Sequence, residues 1–325
     1  MTKTTLSDTD VVEQMRDAFA GATRILVTSH IRPDGDAVGS LLGLGLALKA
    51  AGKDVQMVLV DGVPSTHRFL KGADQILKQA SGEFDLRVSV DTADLDRLGG
   101  AHQNHPVDLV IDHHITNLRY GRLNLIDPGA PATAVILTRY LPRWNLPLTV
   151  EVASALMTGL ITDTIGFRTS NMTPEAFRAA AQLMELGADL HEIYQRTLIS
   201  RSYRAARYWG AGLSKLQRMD RLIWTTLTLE DRKTMGYNGN DDADLTNLLS
   251  SIEEADISVL FIEQRDQLTK VSWRARPGLD VSQIALQFGG GGHPAAAGAE
   301  VPGSMDLVVE KVLKATKELL KSRNE

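Results

Sequence analysis

Aspartates and histidines stand at four places in this chain where an apolar run stops or is interrupted, and together they are the residue types that bind hard or borderline cations. The apolar stretch 107–111 runs straight into Asp112-His113-His114. Earlier, His30-Ile-Arg-Pro-Asp34-Gly35-Asp36 lies between a strand-like run and a helical one. Gly35 permits a sharp turn, so the carboxylates of Asp34 and Asp36 can converge on one point. Asp91 ends the strand-like run 86–90, and Asp163 is embedded in Gly159-Leu-Ile-Thr-Asp-Thr-Ile165. Singly, each has an ordinary explanation: Asp36 and Asp91 as helix caps, Asp-His-His as a solvated turn. Burying an unpaired carboxylate is costly, however, so Asp163 needs a partner, and a cation is the best candidate.

Taken together, His30, Asp34, Asp36, Asp91, Asp112, His113, His114 and Asp163 hold too many carboxylates for a single zinc with an open position. The set suits two divalent ions sharing a bridging carboxylate. Mixed imidazole and carboxylate ligands suit manganese best, with magnesium or cobalt as substitutes. Two cations roughly 3.5–4 Å apart recur in phosphoester hydrolysis, where they lower the pKa of a bridging water and stabilise in-line displacement at phosphorus.

A second constellation is Phe288-Gly289-Gly290-Gly291-Gly292-His293-Pro294 followed by Ala-Ala-Ala-Gly298. Four glycines in a row expose backbone N–H groups to an anion, His293 adds a donor, and the small-residue run is expected to pack as a helix. Arg274 and Arg276 can clamp a terminal phosphate in bidentate fashion. The plainer readings are a flexible hinge for the glycines and a rim salt bridge for each arginine. His102 and His105 lie in a polar loop without a useful carboxylate, and His67 and His191 stand alone as surface or cap residues.

The elements that must position these groups alternate. Strands are expected at 24–28, 55–60, 86–90 and 108–111, with a helix over 37–51 closed by Gly52 and another helix capped by Ser7 or Asp8. Strands separated by helices imply crossovers and a parallel sheet covered on both faces. Residues 132–186 read as mainly helical, with Thr173-Pro174 starting one helix and Gly187 ending it. A second α/β unit follows, with strands at 222–229, 257–263 and 269–274 and helices at 243–252, 281–288 and 306–321. Between Arg196 and Arg221 lie seven basic residues against one acid, with Tyr203, Tyr208 and Trp209 interleaved. That segment is either a solvated linker face or a wall that attracts polyanions.

Composition sets the outer limits. The chain has 325 residues, no cysteine and a net charge of −5. Thiolate metal sites are excluded, and a protein that coats long duplexes would carry a basic excess. The polar N-terminus lacks a signal-peptide core and no run is long enough to span a bilayer; a cytoplasmic, non-membrane protein is expected.

The order H-x-x-x-D-x-D, strand-end Asp, Asp-His-His, helical T-D-T and G-G-G-H-P-A-A-A-G resembles the DHH phosphoesterases with a C-terminal DHH-associated domain. It is most similar to the bacterial nano-RNases that are also phosphatases of 3′-phosphoadenosine 5′-phosphate (pAp). The resemblance implies an α/β fold: a DHH catalytic domain over 1–190, a helical linker over 191–210 and a smaller substrate-binding domain over 211–325 across a cleft. It implies one cation on His30, Asp34 and Asp91 and a second on Asp36, Asp91, His113 and Asp163. Asp112 would orient His113 or His114, and His114 would face the scissile phosphate. Arg274, Arg276, Gly290, Gly291, Gly292 and His293 would hold the far end of a short RNA or small nucleotide. Signalling dinucleotides, cyclic di-AMP or linear pApA and pGpG, are the alternative substrates, and the apolar helices are compatible with a homodimer. A nucleic-acid-binding module without chemistry, using the basic segment, is the rival of another class.

Overall fold

The computed structural model describes residues 8–102, 105–239 and 241–321; the expected cap at Ser7 lies outside them. The chain divides into two compact units between Ser200 and Arg201. Among the described residues no helix is long and apolar enough to cross a membrane.

The first unit is built on a sheet of β1 Arg24–Thr28, β2 Asp54–Val58, β3 Leu86–Val90, β4 Leu109–Asp112 and β5 Leu123–Ile126. All neighbours are parallel and the order is β2-β1-β3-β4-β5. β5 adds to the four expected strands; Leu-Asn-Leu-Ile is short and fully buries only alternate residues. The helices are α1 Asp8–Gly21, α2 Gly35–Ala50, α3 Thr133–Tyr140, α4 Val150–Asp163, α5 Pro174–Glu185 and α6 Leu190–Tyr194. After β1 the chain moves outward to β2, then returns past β1 to β3. That reversal makes the β1/β3 junction the switch point, and ligands bind outside the carboxyl ends of the strands there.

Helix α2 begins at Asp34, whose carboxylate accepts the N–H groups of Asp36 and Ala37 at 3.1 and 3.0 Å. Its apolar residues do not form a stripe: nearly every position from Gly35 to Leu48 is buried, because α2 lies between the sheet and α4. The two helices touch backbone to backbone. A Cβ on Gly39 would stand 2.4 Å from the Ala155 carbonyl oxygen, and one on Gly159 2.5 Å from Asp36 Oδ1. These glycines therefore set the approach of Asp36, on α2, to Asp163, at the end of α4. Gly39→Ala is expected to lose about 1–3 kcal/mol of stability by forced separation of the helices. Urea unfolding of the variant against wild type measures it, and an unchanged midpoint would refute the contact.

The second unit holds α7 Tyr203–Leu213, β6 Gln217–Met219, β7 Leu222–Leu227, α8 Leu229–Met235, α9 Leu245–Leu249, β8 Ile257–Gln264, β9 Leu268–Ala275, α10 Ser282–Gln287, β10 Gly291–His293, β11 Ala296–Pro302 and α11 Met305–Lys321. Its six strands form a mixed sheet in the order β10-β11-β9-β8-β7-β6, with β7 and β8 parallel and the other neighbours antiparallel. Trp273 is fully buried and its indole N–H donates to Thr316 Oγ1 of α11 at 3.1 Å.

Two expectations are corrected here, and a third segment stood open. The small-residue run after Pro294 is not a helix but strand β11, because Ala296 to Pro302 pair along the whole of β9. Helix α9 is shorter than 243–252, since Ala243 and Asp244 take left-handed backbone (φ 52° and 68°) and start it late. The basic, aromatic segment is largely structural. Arg196, Arg201, Lys215 and Arg221 pair with Glu192, Asp244, Asp231 and Asp256. Tyr208 is buried and stacked on Tyr237, and the Trp209 N–H donates to the Ala243 carbonyl. Residues 191–210 themselves span the division between the units, α6 lying before it and α7 after it.

Candidate metal centre

His30 and Asp91 follow the neighbouring strands β1 and β3, so the switch point brings them together. His30 Nε2 lies 3.7 Å from Asp91 Oδ2 and 3.9 Å from Asp34 Oδ2. His113, just past β4, has Nε2 3.7 Å from Asp91 Oδ1 and 3.6 Å from Asp163 Oδ2. Among the described residues three overlapping trios result, His30–Asp34–Asp91, Asp36–His113–Asp163 and Asp91–His113–His114, with the donor atoms of each within 4.8 Å of one another. Asp91 and His113 link them.

These spacings are too long for hydrogen bonds. The donors crowd one space yet do not satisfy one another, as ligands arranged around a shared charge would be. Electrostatics point the same way. Burial and then the carboxylates of Asp91, Asp163 and Asp34 push Asp36 well above its ordinary range, although the Thr133 N–H opposes them. Burial and the neighbouring Asp91 and Asp34 raise Asp163 to about 7, with His113 and His114 opposing. Burial alone would raise Asp91 too, but His30, His113 and His114 hold it well below. Its backbone is left-handed (φ 53°), a conformation uncommon outside glycine. Oxygen and imidazole donors in this number, with carboxylates held against their own repulsion, fit divalent cations.

The supporting shell is mostly invisible to pattern reading. The first turn of α3 aims at Asp36: Thr133 N–H and Ala134 N–H donate to its two oxygens at 2.6 and 3.1 Å, and Ser40 Oγ adds a third bond at 3.1 Å. Thr133 Oγ1 also donates to Asp91 Oδ1 at 3.0 Å. Nothing in the sequence singles out Thr133, because its role depends on where α3 docks.

Asp112 is fully buried and spends its oxygens on its own loop. It accepts from the His113 N–H at 2.8 Å, from His114 Nδ1 at 2.7 Å and from Asn117 Nδ2 at 2.6 Å. Of the two histidines it could orient, its side chain thus holds His114, while His113 Nδ1 faces the Ala130 carbonyl at 3.2 Å. Burial opposes a charged His114, but the bond to Asp112 and the charges of Asp91 and Asp163 outweigh it and raise its pKa to about 9.

In the second unit, β-register places Ser258, Arg274, Ala296 and His293 directly opposite one another across four strands. Opposed residues share a face of the sheet, so Arg274 and His293 lie on one face two strand spacings apart, roughly 10 Å. Arg276 does not join them. It is exposed and donates to the carbonyls of Ile252 and Glu253 at 3.4 and 2.9 Å, a structural clamp. The glycines lead into and form part of a hairpin. Gly290 N–H is taken by the Ala285 carbonyl at 2.9 Å, and Gly291 and Gly292 pair with Gly298 and Ala297. A Cβ on Gly290 would meet the Gly298 carbonyl oxygen at 2.1 Å; close strand packing is what requires glycine there.

His67 and His102 are not surface groups, being 7% and 4% exposed. Gln103 and Asn104, within the His102–His105 loop, lie outside the described residues.

Fold and side chains define an α/β protein with a cluster of carboxylates and imidazoles that could hold a metal ion, at the switch point of a parallel sheet. Models of the DHH family N-terminal domain and of the DHHA1 domain match residues 24–160 and 233–322. The Thermus thermophilus protein named bifunctional oligoribonuclease and PAP phosphatase NrnA is 37% identical over 305 residues, 91% of this chain and 90% of its own length. The Bacillus subtilis protein of the same name is 25% identical over 282 residues, 85% of this chain and 89% of its own. A crystal structure of an exopolyphosphatase-related protein from Bacteroides fragilis matches with a TM-score of 0.87 at 25% identity, covering 99% of this chain and 98% of that one. The chain belongs to the DHH family and carries the DHHA1 domain.

Proposed function

We propose that this protein is a divalent-cation-dependent phosphoester hydrolase that degrades very short oligoribonucleotides to mononucleotides and removes a phosphate from pAp. The observation that carries this reading is the set of overlapping candidate ligand trios linked through Asp91 and His113, in a chain similar over nine-tenths of its length to a protein named for both activities. His30, Asp34 and Asp91 would hold one cation and Asp36, His113, Asp163 and Asp91 the other, manganese being the best match to the donors. When bound, such ions lower the pKa of water and offset charge on a phosphoryl group.

The chain's own groups do the rest. Asp91, kept ionised by three imidazoles, stays a carboxylate across the working pH range. Asp112 fixes the His114 ring through Nδ1–H, which leaves Nε2 as the nitrogen for a phosphoryl oxygen. His114 keeps its proton at neutral pH, so it donates to developing negative charge without first needing to be protonated. Arg274 and His293, on one sheet face, suit the terminal phosphate or nucleotide of the substrate.

The test is a turnover panel of pAp, a short RNA, linear pApA and pGpG, and cyclic di-AMP. The full-length protein is stripped with chelator and then given manganese, magnesium, cobalt or no metal. Hydrolysis of pAp and short RNA should vanish on stripping and return with manganese. Turnover of cyclic or linear dinucleotides far above both would favour the signalling-dinucleotide alternative, and metal-indifferent binding to long single strands would favour a binding module.

A further inference from the structure

The turn that follows Asp163 carries its glycine one place later than a helix end calls for. Helix α4 is capped by Thr164 and closes with two further bonds. The Ile165 N–H donates to the Thr162 carbonyl at 3.2 Å and the Gly166 N–H to the Ile161 carbonyl at 2.8 Å. This pair of bonds makes a Schellman end, in which the residue after the cap is left-handed and usually glycine, with an apolar residue next. Here the order is reversed. Ile165 takes the left-handed position, at φ 49°, and Gly166 follows it. A β-branched residue with positive φ is an outlier, because its Cβ crowds the following carbonyl. Gly166 has its own reason, since a Cβ there would stand 2.4 Å from Tyr194 Oη. Glycine at both positions would satisfy the turn without strain.

Burial offsets that strain only in part, because Ile165 is 43% exposed. Strain of this kind collects at ligand-binding sites, and the position of Ile165 says which ligand. Asp163 lies two residues earlier, with its Oδ2 3.6 Å from His113 Nε2. Two residues beyond His113 stands Ile115, 81% exposed. Both members of one close pair of candidate ligands are thus followed, at the same spacing, by an exposed isoleucine. Apolar residues scattered singly over a surface need no account; two on the loops that leave one ligand pair do. We infer that Ile165, together with Ile115, forms an apolar edge of the site against which the nucleoside bearing the scissile phosphate packs. A phosphoryl group seated at the cluster brings its covalently attached ribose and base to these loops. Every base has an apolar face, so such contact gives affinity without selecting among bases. That suits an enzyme that takes nucleotides off a short chain one after another.

This inference rests on the reading of the protein as a nucleotide phosphoester hydrolase, and the test keeps the two failures apart. Full-length wild type, Ile165→Gly, Ile165→Asn, Ile165→Leu and Ile115→Ser are assayed with manganese on pAp and on short adenine-only and uracil-only RNAs. Glycine and asparagine both accept the left-handed backbone, so these variants keep the turn. In both, the KM for pAp should rise on the order of tenfold, the scale of one large aliphatic contact. Their kcat should stay within about twofold, as expected when binding is lost equally from ground and transition states. Ile115→Ser, on the other loop and clear of the α4 turn, should raise KM in the same direction. Ile165→Leu, which stays apolar, should keep a KM close to that of wild type. The two RNAs should weaken alike. Half-maximal turnover should need the same manganese concentration throughout, because Asp163 keeps its place. An unchanged KM in Ile165→Gly, Ile165→Asn and Ile115→Ser overturns the contact. A raised KM that comes with a higher manganese requirement also overturns it, making Ile165 a support for Asp163 instead. Absence of turnover of pAp and short RNA by wild type under every cation overturns the contact together with the hydrolase reading beneath it.

Discussion

Asp163→Asn is expected to lower manganese-supported turnover of pAp by more than about 100-fold while making the cation-free protein more stable. Outer partners of metal ligands are worth about 10–100-fold each, and Asp163 stands with Asp36 and His113 in the ligand trio itself. The stability gain follows from the same crowding. Burial, with Asp91 and Asp34 nearby, lifts the Asp163 pKa from 3.8 to about 7. The folded state therefore binds its proton more tightly than the unfolded chain does. Ionising Asp163 costs nothing below about pH 4, costs progressively more up to about pH 7, and is a constant penalty above that. At 1.36 kcal/mol per unit this is on the order of 4 kcal/mol at about pH 8. Asparagine has no such penalty, so urea midpoints under chelator should separate at about pH 8 and converge at about pH 4. Retained turnover would remove Asp163 from the ligand set; coincident midpoints at both pH values would remove the repulsion.

The opposition between activity and metal-free stability explains which parts of the site could be read from the sequence. Ligands at strand ends are legible because the chain must stop being apolar there, and β1 and β3 fall at the expected residues since both are buried five-residue runs. Asp163 was legible as an energetic anomaly in an apolar stretch. Thr133 and Arg97 were not, because each reaches its partner only after a crossover has closed: Thr133 bonds an aspartate 97 positions away in sequence and Arg97 a histidine 67 away. One element of the second domain, the run after Pro294, was misread for another reason. Alanine is the best helix former, yet Ala296 to Pro302 are drawn into a strand by the open edge of β9. Local propensity loses when a sheet edge needs a partner. The glycines before them then become packing requirements of a hairpin.

His102 should give the folded state the opposite pH dependence to Asp163, and the two together make a sharper test than either alone. Its ring is buried, with Nε2 2.7 Å from Thr28 Oγ1. Burial, with Arg87 nearby, lowers its pKa from 6.5 to about 4, against the pull of Asp108. Because the folded pKa is depressed, the unfolded chain takes up the proton first as pH falls. The stability from the neutral ring is full above about pH 6.5, is lost progressively down to about pH 4, and amounts to roughly 3 kcal/mol. His67, also lowered to about 4 by burial, loses stability in the same window and direction. In the metal-free wild type, Asp163 gains stability over the range in which these histidines lose it, so the net profile between about pH 4 and 7 should be shallow. Asp36, raised by the same crowding, still opposes the histidines, so metal-free Asp163→Asn should lose stability on acidification more steeply than wild type. Asp163→Asn/His102→Gln should recover about half of that slope, since one of the two buried rings no longer titrates. Chemical denaturation at three pH values across that range decides it. A slope in Asp163→Asn no steeper than in wild type would mean that the buried imidazoles are protonated in the fold.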